Sequence, residues 1–445
     1  MYEHVDWDRL TFGLARAMLA APWSAPGVAE EAAAFLGQWP AWLDPLVLHV
    51  TSAYRRSPGD LRALERVISV YLREHRVEPP PPAAAAVPAV RRPRGDHSRP
   101  PRSEWRTAAI DSVPDLADAL ELSLGQLAWL ADVRSLERTV ADERLRNYRY
   151  AAVPRRSGLP RVIEAPKLRL KEIQRWILRE ILDHVPAHEA AQGFTRGRSV
   201  IDHAAVHTGR HAVLRLDLAD FFASVSAGRV FGIFQTLGYR AAVAHALTGL
   251  TTNVVPQHVW EVVRRTAAAS APVPATFRLG RALATPHLPQ GGPTSPALAN
   301  LAAFRLDRRL AGLATAAGVR YSRYADDLTF SGGRLRRSWT NLEALVGEIA
   351  RDEGFVLNAG KSTLRTAATR QQVCDIVVNA TPNVPRDEYD RLKAVLHNAV
   401  RDGPAAQGLA GRRAHLEGRI AWVASLNPAR GEKLKRRFAE IDWTR

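Results

Sequence analysis

The sequence predicts an α+β protein in which a small antiparallel sheet carries carboxylates amid many helices. Three observations lead there. Tyr321-Ser-Arg-Tyr-Ala-Asp326-Asp327-Leu-Thr-Phe330 reads as two short strands joined by a two-residue acidic tip, a β-hairpin. Ala212-Val-Leu-Arg-Leu-Asp217-Leu-Ala-Asp220-Phe-Phe222 reads as a strand running into an acidic turn. Much of the remaining chain places apolar residues at helical spacing.

In chain order, residues 1–78 read as a helical domain. Trp7, Leu10, Leu14 and Met18 share one helical face, as do Leu61, Leu64, Val67, Val70 and Tyr71, and Trp23, Trp39 and Trp42 read as core. Residues 79–104 read as a linker. Four prolines and four alanines lead into a run with Arg91, Arg92, Arg94, Arg99 and Arg102, which has too little apolar surface to fold alone. Short helices are expected over 110–146, strands over 148–165 and a helix over 168–183 with Leu170, Ile173, Trp176 and Ile177 on one face. Then follow a strand at 212–217, helices over 227–264, a helix over 296–316 and the hairpin at 321–331. A helix over 338–352 and strands near 363 and 374 come next. Beyond them Leu392, Val395, Leu396 and Ala399 mark one amphipathic helix, and Leu416, Ile420 and Val423 another.

The acidic segments point to chemistry. Neighbouring carboxylates repel, and a divalent cation relieves that repulsion. Phosphoryl transfer by two metal ions needs carboxylates from separate strands holding ions roughly 3.5–4 Å apart. Asp217 and Asp326 are placed to supply them, with the Leu218 carbonyl as a further oxygen. Two Mg²⁺ ions suit such a site, because Mg²⁺ takes few carboxylates and keeps waters and substrate phosphates in its shell. Between these strands lies Leu288-Pro-Gln290-Gly291-Gly292-Pro-Thr294-Ser295-Pro296, where glycines allow close backbone approach and Ser295-Pro296 starts a helix.

The net charge of +17 and pI near 10.7 fit a polyanionic partner. The single cysteine, Cys374, rules out an intramolecular disulfide and any Cys-based zinc site, and its neighbours Val373, Ile376 and Val377 point to an inert thiol. No apolar run approaches a membrane span, and Glu3, Asp6, Asp8 and Arg16 argue against a signal peptide, so a cytoplasmic location without membrane contact is expected.

Further segments carry a family likeness. They are Tyr148-Arg-Tyr-Ala-Ala-Val-Pro154 through Lys167, Leu170-Lys171-Glu-Ile-Gln174-Arg175-Trp176, and Gln192-Gly193-Phe-Thr-Arg-Gly197-Arg198-Ser199. The Asp217, Gln290-Gly291 and Tyr324-to-Asp327 motifs follow in order, then Gly354-Phe-Val-Leu-Asn358-Ala-Gly-Lys361 and a basic C-terminal segment. Over roughly residues 110–445 the chain resembles the bacterial reverse transcriptases, most closely the retron enzymes. The resemblance implies a right-hand polymerase: fingers at 105–211, a palm with an antiparallel sheet at 212–380 and a helical thumb at 381–445.

The resemblance further implies that Asp217, Asp326 and Asp327 are the catalytic carboxylates, with Asp327 orienting rather than coordinating if not a ligand itself. Mn²⁺ is an expected substitute for Mg²⁺. Arg155, Arg156 and Arg161 match the fingers segment that grips the triphosphate. The backbone at Asp220 and Phe221 should face it too. Phe222 matches the aromatic that stacks beneath the sugar and excludes a 2′-hydroxyl. Gln290 and Gly291 match the loop that meets nucleotide and template, and Lys361 matches a lysine that protonates leaving pyrophosphate. Arg412, Arg413, Arg419, Lys435 and Arg436 are expected to face a duplex. The stretch His203-Ala204-Ala-Val-His207 stands where retron enzymes carry Asn-Ala-x-x-His, and contact with RNA or helix packing is expected of both histidines. Val373-Cys374-Asp375 stands where they carry Val-Thr-Gly, which leaves the identity of the RNA open.

The function expected is RNA-directed DNA synthesis. The template and primer would be a structured noncoding RNA, the substrates deoxynucleoside triphosphates and the product its single-stranded cDNA. An antiphage role and an effector protein partner accompany the retron likeness. The alternatives are another bacterial defence or intron-like reverse transcriptase with a different template, and a non-enzymatic RNA-binding scaffold, against which the intact acidic residues argue.

Overall fold

The structure is a computed structural model that describes residues 7–75, 77 and 105–444, apart from 22, 55, 56, 59, 141, 156, 157, 268–270 and 410. The expected linker at 79–104, with its arginines, lies outside the described residues. The chain divides into two compact units, Met1–Ser98 and Arg99–Arg445.

Among its described residues the first unit holds four helices, Trp7–Ala20, Ala25–Leu36, Leu43–Ala53 and Leu61–Glu74. Leu14, Met18, Leu46, Leu64 and Ile68 are its fully buried centre. Two residues expected inside lie outside. Val70 is half exposed, and Trp39 is exposed with its indole N–H donated to Asp44.

In the second unit, β1 (Tyr148–Val153) and β2 (Arg161–Pro166) form an antiparallel hairpin. A separate four-stranded sheet has the order β4-β5-β3-β6, where β3 is Ala212–Asp217, β4 Arg320–Tyr324, β5 Asp327–Ser331 and β6 Thr363–Thr366. Every pairing in it is antiparallel. Side chains alternate along β3. Ala212, Leu214 and Leu216 enter the main core with Leu328 and Phe330, under the helices Phe304–Ala317 and Leu335–Asp352. Val213 turns the other way, into a small cluster with Ala204, Val373 and Ile376. Arg215 and Asp217 continue that second face. The last strands, β7 (Gln372–Val373) and β8 (Ile376–Val377), make a tight hairpin whose turn residues Cys374 and Asp375 both adopt positive φ. Burial pushes the Cys374 thiol up to about 12, so it stays protonated and inert near neutrality.

Three C-terminal helices, Arg386–Asp402, Arg413–Leu426 and Pro428–Ala439, bury Leu392, Leu396, Leu416, Ile420 and Leu434 in a core of their own. Two helical expectations change. The stretch expected as one helix over 296–316 is two, Ser295–Ala302 and Phe304–Ala317, and a helix at Val273–Leu283 was not foreseen. Among the described residues, no helix is long and apolar enough to cross a membrane.

Candidate active site

The carboxylates converge through sheet register. Asp217 ends β3 directly opposite Asp327, the first residue of β5. The pairing of Tyr324 with Asp327 makes the two-residue turn Ala325-Asp326, not the expected acidic pair. The two aspartates therefore separate. Asp326 sits at the tip and lines a cavity of about 320 Å³ together with Asp217 and Leu218. Asp327 begins the strand, does not line that cavity, and accepts a hydrogen bond from Arg215. Leu218 closes the turn by donating its amide to the Asp326 carbonyl at 2.8 Å.

Ala325 holds φ +56, a left-handed conformation that costs an L-residue roughly 1 kcal/mol. Its surroundings impose it. A Cβ on Gly193 would lie 2.7 Å from the Ala325 amide nitrogen, so only glycine admits this approach. The Arg323 guanidinium donates to the Ala325 carbonyl at 2.9 Å and to Asn300 at 3.0 Å, and makes a two-point pair with Asp307 at 2.8 and 2.6 Å. Arg323 and Asp307 have no solvent exposure at all.

The cavity also gathers cations and aromatics. Arg155 and Arg161 reach it from the β1–β2 hairpin, and Lys361 and Asn358 from the segment before β6. Lys361 donates to both Asp217 oxygens, at 2.9 and 3.0 Å, and Asn358 to one at 3.2 Å. Burial raises the Asp326 pKa, and repulsion from Asp217 adds to the rise. Burial raises that of Asp327 as well, with Arg215 opposing it. Burial lowers the pKa of Arg155, and its neighbour Arg161 lowers it further. Among the described residues no three His, Cys, Asp or Glu side chains converge on one point. An Asp326 carboxylate whose proton affinity is raised by burial and by Asp217 beside it fits a hard divalent cation that completes its shell with water and phosphate.

Gln290 and Gly291 are fixed to β2. The Glu164 amide donates to the Gln290 carbonyl at 2.9 Å. A Cβ on Gly291, at φ +139, would meet the Glu164 carbonyl at 2.8 Å. The Glu164 side chain is 1% exposed and fully partnered, with His287 at 3.0 Å and Asn253 at 2.7 Å. This buried network sets the cavity wall beside Gln290.

Similarity decides what such a cavity belongs to. Residues 153–378 match the family described as reverse transcriptase (RNA-dependent DNA polymerase). The chain belongs to the reverse transcriptase family. It is similar to the retron Mx65 reverse transcriptase of Myxococcus xanthus, with 40% identity over 334 residues, 75% of this chain and 71% of that one. It is also similar to the retron Mx162 enzyme of the same organism, at 34% identity over 350 residues, 75% and 68% of the two chains. The retron Ec86 enzyme of Escherichia coli is 29% identical over 270 residues, 60% and 72% of the two chains. This reverse transcriptase is accordingly retron-like and an RNA-directed DNA polymerase, and the family implies dependence on a divalent metal.

Of the residues expected at the site, Asp217, Leu218, Asp326, Arg155, Arg161, Asp220, Phe221, Phe222, Gln290 and Lys361 line one cavity. Arg156 lies outside the described residues. Arg412, Arg413, Lys435 and Arg436 are exposed on the C-terminal helices, and Arg419 is partly covered beside Glu388. The lining residues given no role beforehand include Phe194, Asn358 and Arg278. The first two lie inside quoted motifs without a role, and Arg278 lies on the unforeseen helix.

The RNA-contact expectation for His203 and His207 is corrected, because both are fully buried. The Ser322 hydroxyl lies 2.8 Å from a ring nitrogen of each, and the other His207 nitrogen is 2.7 Å from Ser331. They pack the helix Val200–Val206 and its cap against the sheet. Burial lowers the His203 pKa to about 4 and that of His207 well below 6.5. The unfolded chain therefore takes up protons that the folded one refuses. Their contribution is complete above pH 6.5 and is lost as pH falls toward 4, at about 1.4 kcal/mol per unit per histidine. His287, raised by Glu164 against its burial, acts in the opposite sense. The denaturation midpoint is expected to drop between pH 7 and pH 5, and His203→Gln with His207→Gln to flatten that slope. An unchanged slope in the double variant excludes these two as its source.

Proposed function

We propose that this enzyme copies part of a structured noncoding RNA into single-stranded DNA in the manner of a retron, as part of an antiphage system with an effector protein, in the cytoplasm. The observation that carries the reading is the single cavity in which Asp217 and Asp326 face Arg155, Arg161 and Gln290, in a chain similar to retron enzymes. The β1–β2 hairpin serves as fingers, the four-stranded sheet as palm and the three C-terminal helices as thumb. Arg412, Arg413, Arg419, Lys435 and Arg436 meet the phosphates of an A-form duplex, which is recognised by shape and backbone.

A primer hydroxyl, in a retron a 2′-hydroxyl of the RNA itself, attacks the α-phosphorus of a deoxynucleoside triphosphate. An oxygen–phosphorus bond forms, the bond to the β-phosphate oxygen breaks, and pyrophosphate leaves. Asp217, Asp326 and the Leu218 carbonyl would hold two Mg²⁺ ions, or Mn²⁺ in their place. Bound there, they lower the pKa of the attacking hydroxyl and neutralise the triphosphate. Asp327 orients Arg215 and the strand pair rather than reaching into the cavity. Arg155 and Arg161 offer forked donors to the phosphates, with Arg156 beside them in sequence. Gln290 and Gly291 form the wall against nucleotide and template, and the backbone at Asp220 and Phe221 faces the triphosphate. Lys361, held by Asp217 before substrate enters, is the proton donor to pyrophosphate.

Phe222 selects the sugar. Its ring lies between Phe221 and Phe194, with centroids 5.6 and 6.1 Å away, and it lines the cavity. Phe222→Ala is expected to raise ribonucleotide incorporation at least about tenfold relative to deoxynucleotides, the size of effect a removed steric wall produces. Unchanged selectivity moves the gate to Phe194, because Phe221 is buried against Phe355.

Extension of oligo(dT) on poly(rA) by the purified protein tests the activity, and sequencing the nucleic acid that copurifies tests the template. One structured RNA joined to complementary DNA is the expected product. Extension with only unrelated cellular RNA bound favours a different defence or intron-like enzyme.

A further inference from the structure

The chain makes a long excursion above the cavity. Asn253 and His287 exchange backbone hydrogen bonds of 2.9 and 3.0 Å, so the segment between them leaves and returns at one point. It carries the helices Gln257–Arg265 and Val273–Leu283. Val263, Leu279 and Leu283 pack on Leu159 and Val162 of the β1–β2 hairpin, which seats the second helix at the cavity wall. Arg278 projects from that helix into the cavity, and its Nε donates to the Asp220 carboxylate at 3.0 Å. Asp220 itself sits in a left-handed turn, at φ +51, three residues after Asp217. The two Nη groups of Arg278 have no hydrogen-bond partner among the described residues.

We infer that Arg278 is a further triphosphate ligand, supplied by the helical excursion and aimed by Asp220 at the β- and γ-phosphates of the incoming nucleotide. The inference rests on the proposed nucleotide site. A guanidinium tied through Nε keeps its plane fixed and leaves both Nη groups as a fork, the arrangement that matches two phosphate oxygens. Asp220 is only 15% exposed and Arg278 40%, so the tie is shielded while the fork stays open to a ligand. Arg155 and Arg161 approach from the β1–β2 hairpin, so Arg278 supplies positive charge from a second element of the same wall.

The test uses the whole protein on poly(rA)/oligo(dT) with dTTP, and pyrophosphate as inhibitor. Arg278→Ala is expected to raise KM for dTTP roughly tenfold and to weaken pyrophosphate inhibition in parallel, as loss of a charge-assisted phosphate contact does. KM for primer–template stays at the wild-type value, and Arg278→Lys recovers part of both effects. A change in kcat or in primer–template KM alone, with dTTP KM and pyrophosphate inhibition unmoved, overturns the inference and makes the Asp220 contact a structural tie. If Arg278→Ala melts early, Arg278→Lys carries the test, and a wild-type response to dTTP and pyrophosphate in a variant unable to fork again overturns it. Absence of extension by the wild-type enzyme overturns the nucleotide site itself, which is a separate outcome.

Discussion

Asp326→Asn is expected to abolish DNA synthesis, by at least about a thousandfold, while the protein folds and binds RNA as before. Losing one ligand charge from a two-metal centre raises the barrier by several kcal/mol, and each 1.36 kcal/mol is a factor of ten in rate. The fold is spared for a local reason. What the turn needs from residue 326 is its backbone carbonyl, which accepts from Leu218, and asparagine keeps that. The carboxylate itself is a burden on the metal-free fold, since burial and Asp217 both raise its pKa. Its removal should leave the melting temperature equal or slightly higher. Retention of a tenth of wild-type activity on poly(rA)/oligo(dT) would falsify the assignment of Asp326.

The residues that were legible beforehand are those whose role is written in local order. Strand β3 is found at Ala212–Asp217, where alternating apolar residues end on an aspartate. The cavity brings together Asp217, Asp326, Gln290 and Lys361, which sit in four separate motifs. The hairpin tip was misread by one residue. An Asp-Asp pair looks like the natural turn, whereas the register puts Ala325 in the left-handed position and Asp327 in the strand. The unforeseen helix Val273–Leu283 begins behind Pro272 with Pro274 in its first turn, where proline is well tolerated although elsewhere it breaks a helix. For His203 and His207 helix packing stood beside RNA contact as a reading, and local sequence does not choose between them. The sheet that buries them is 115 residues or more further along the chain.

The buried charges were the least legible. Arg323 stands in a strand between Ser322 and Tyr324, and Asp307 stands on an amphipathic helix, where charged residues ordinarily face water. Nothing local marks either as interior. Glu164 was quoted within a motif without a role, yet its partners His287 and Asn253 make it the joint between β2 and the Gln290 loop.

Asp307→Ala is expected to destabilise the second unit by roughly 3–5 kcal/mol, because it leaves the Arg323 charge buried and unpaired. Arg323 loses both of its bonds to Asp307, and Tyr321 loses the acceptor 2.8 Å from its hydroxyl. The consequence extends to chemistry. The same guanidinium holds the Ala325 carbonyl and Asn300, and Asn300 in turn donates to the Gly193 carbonyl at 2.9 Å. These contacts keep Ala325 in its strained conformation and Asp326 at the cavity. The denaturant midpoint measures the first effect. A second variant, Asp307→Leu with Arg323→Met, separates it from the other. Replacing a buried ion pair by apolar groups of similar size is often neutral for stability, so this variant should recover most of the midpoint. It cannot restore the donor to the Ala325 carbonyl, and its polymerisation rate should stay well below wild type. Recovery of stability and rate together would show that the pair serves the fold alone and that the hairpin tip holds its shape without Arg323.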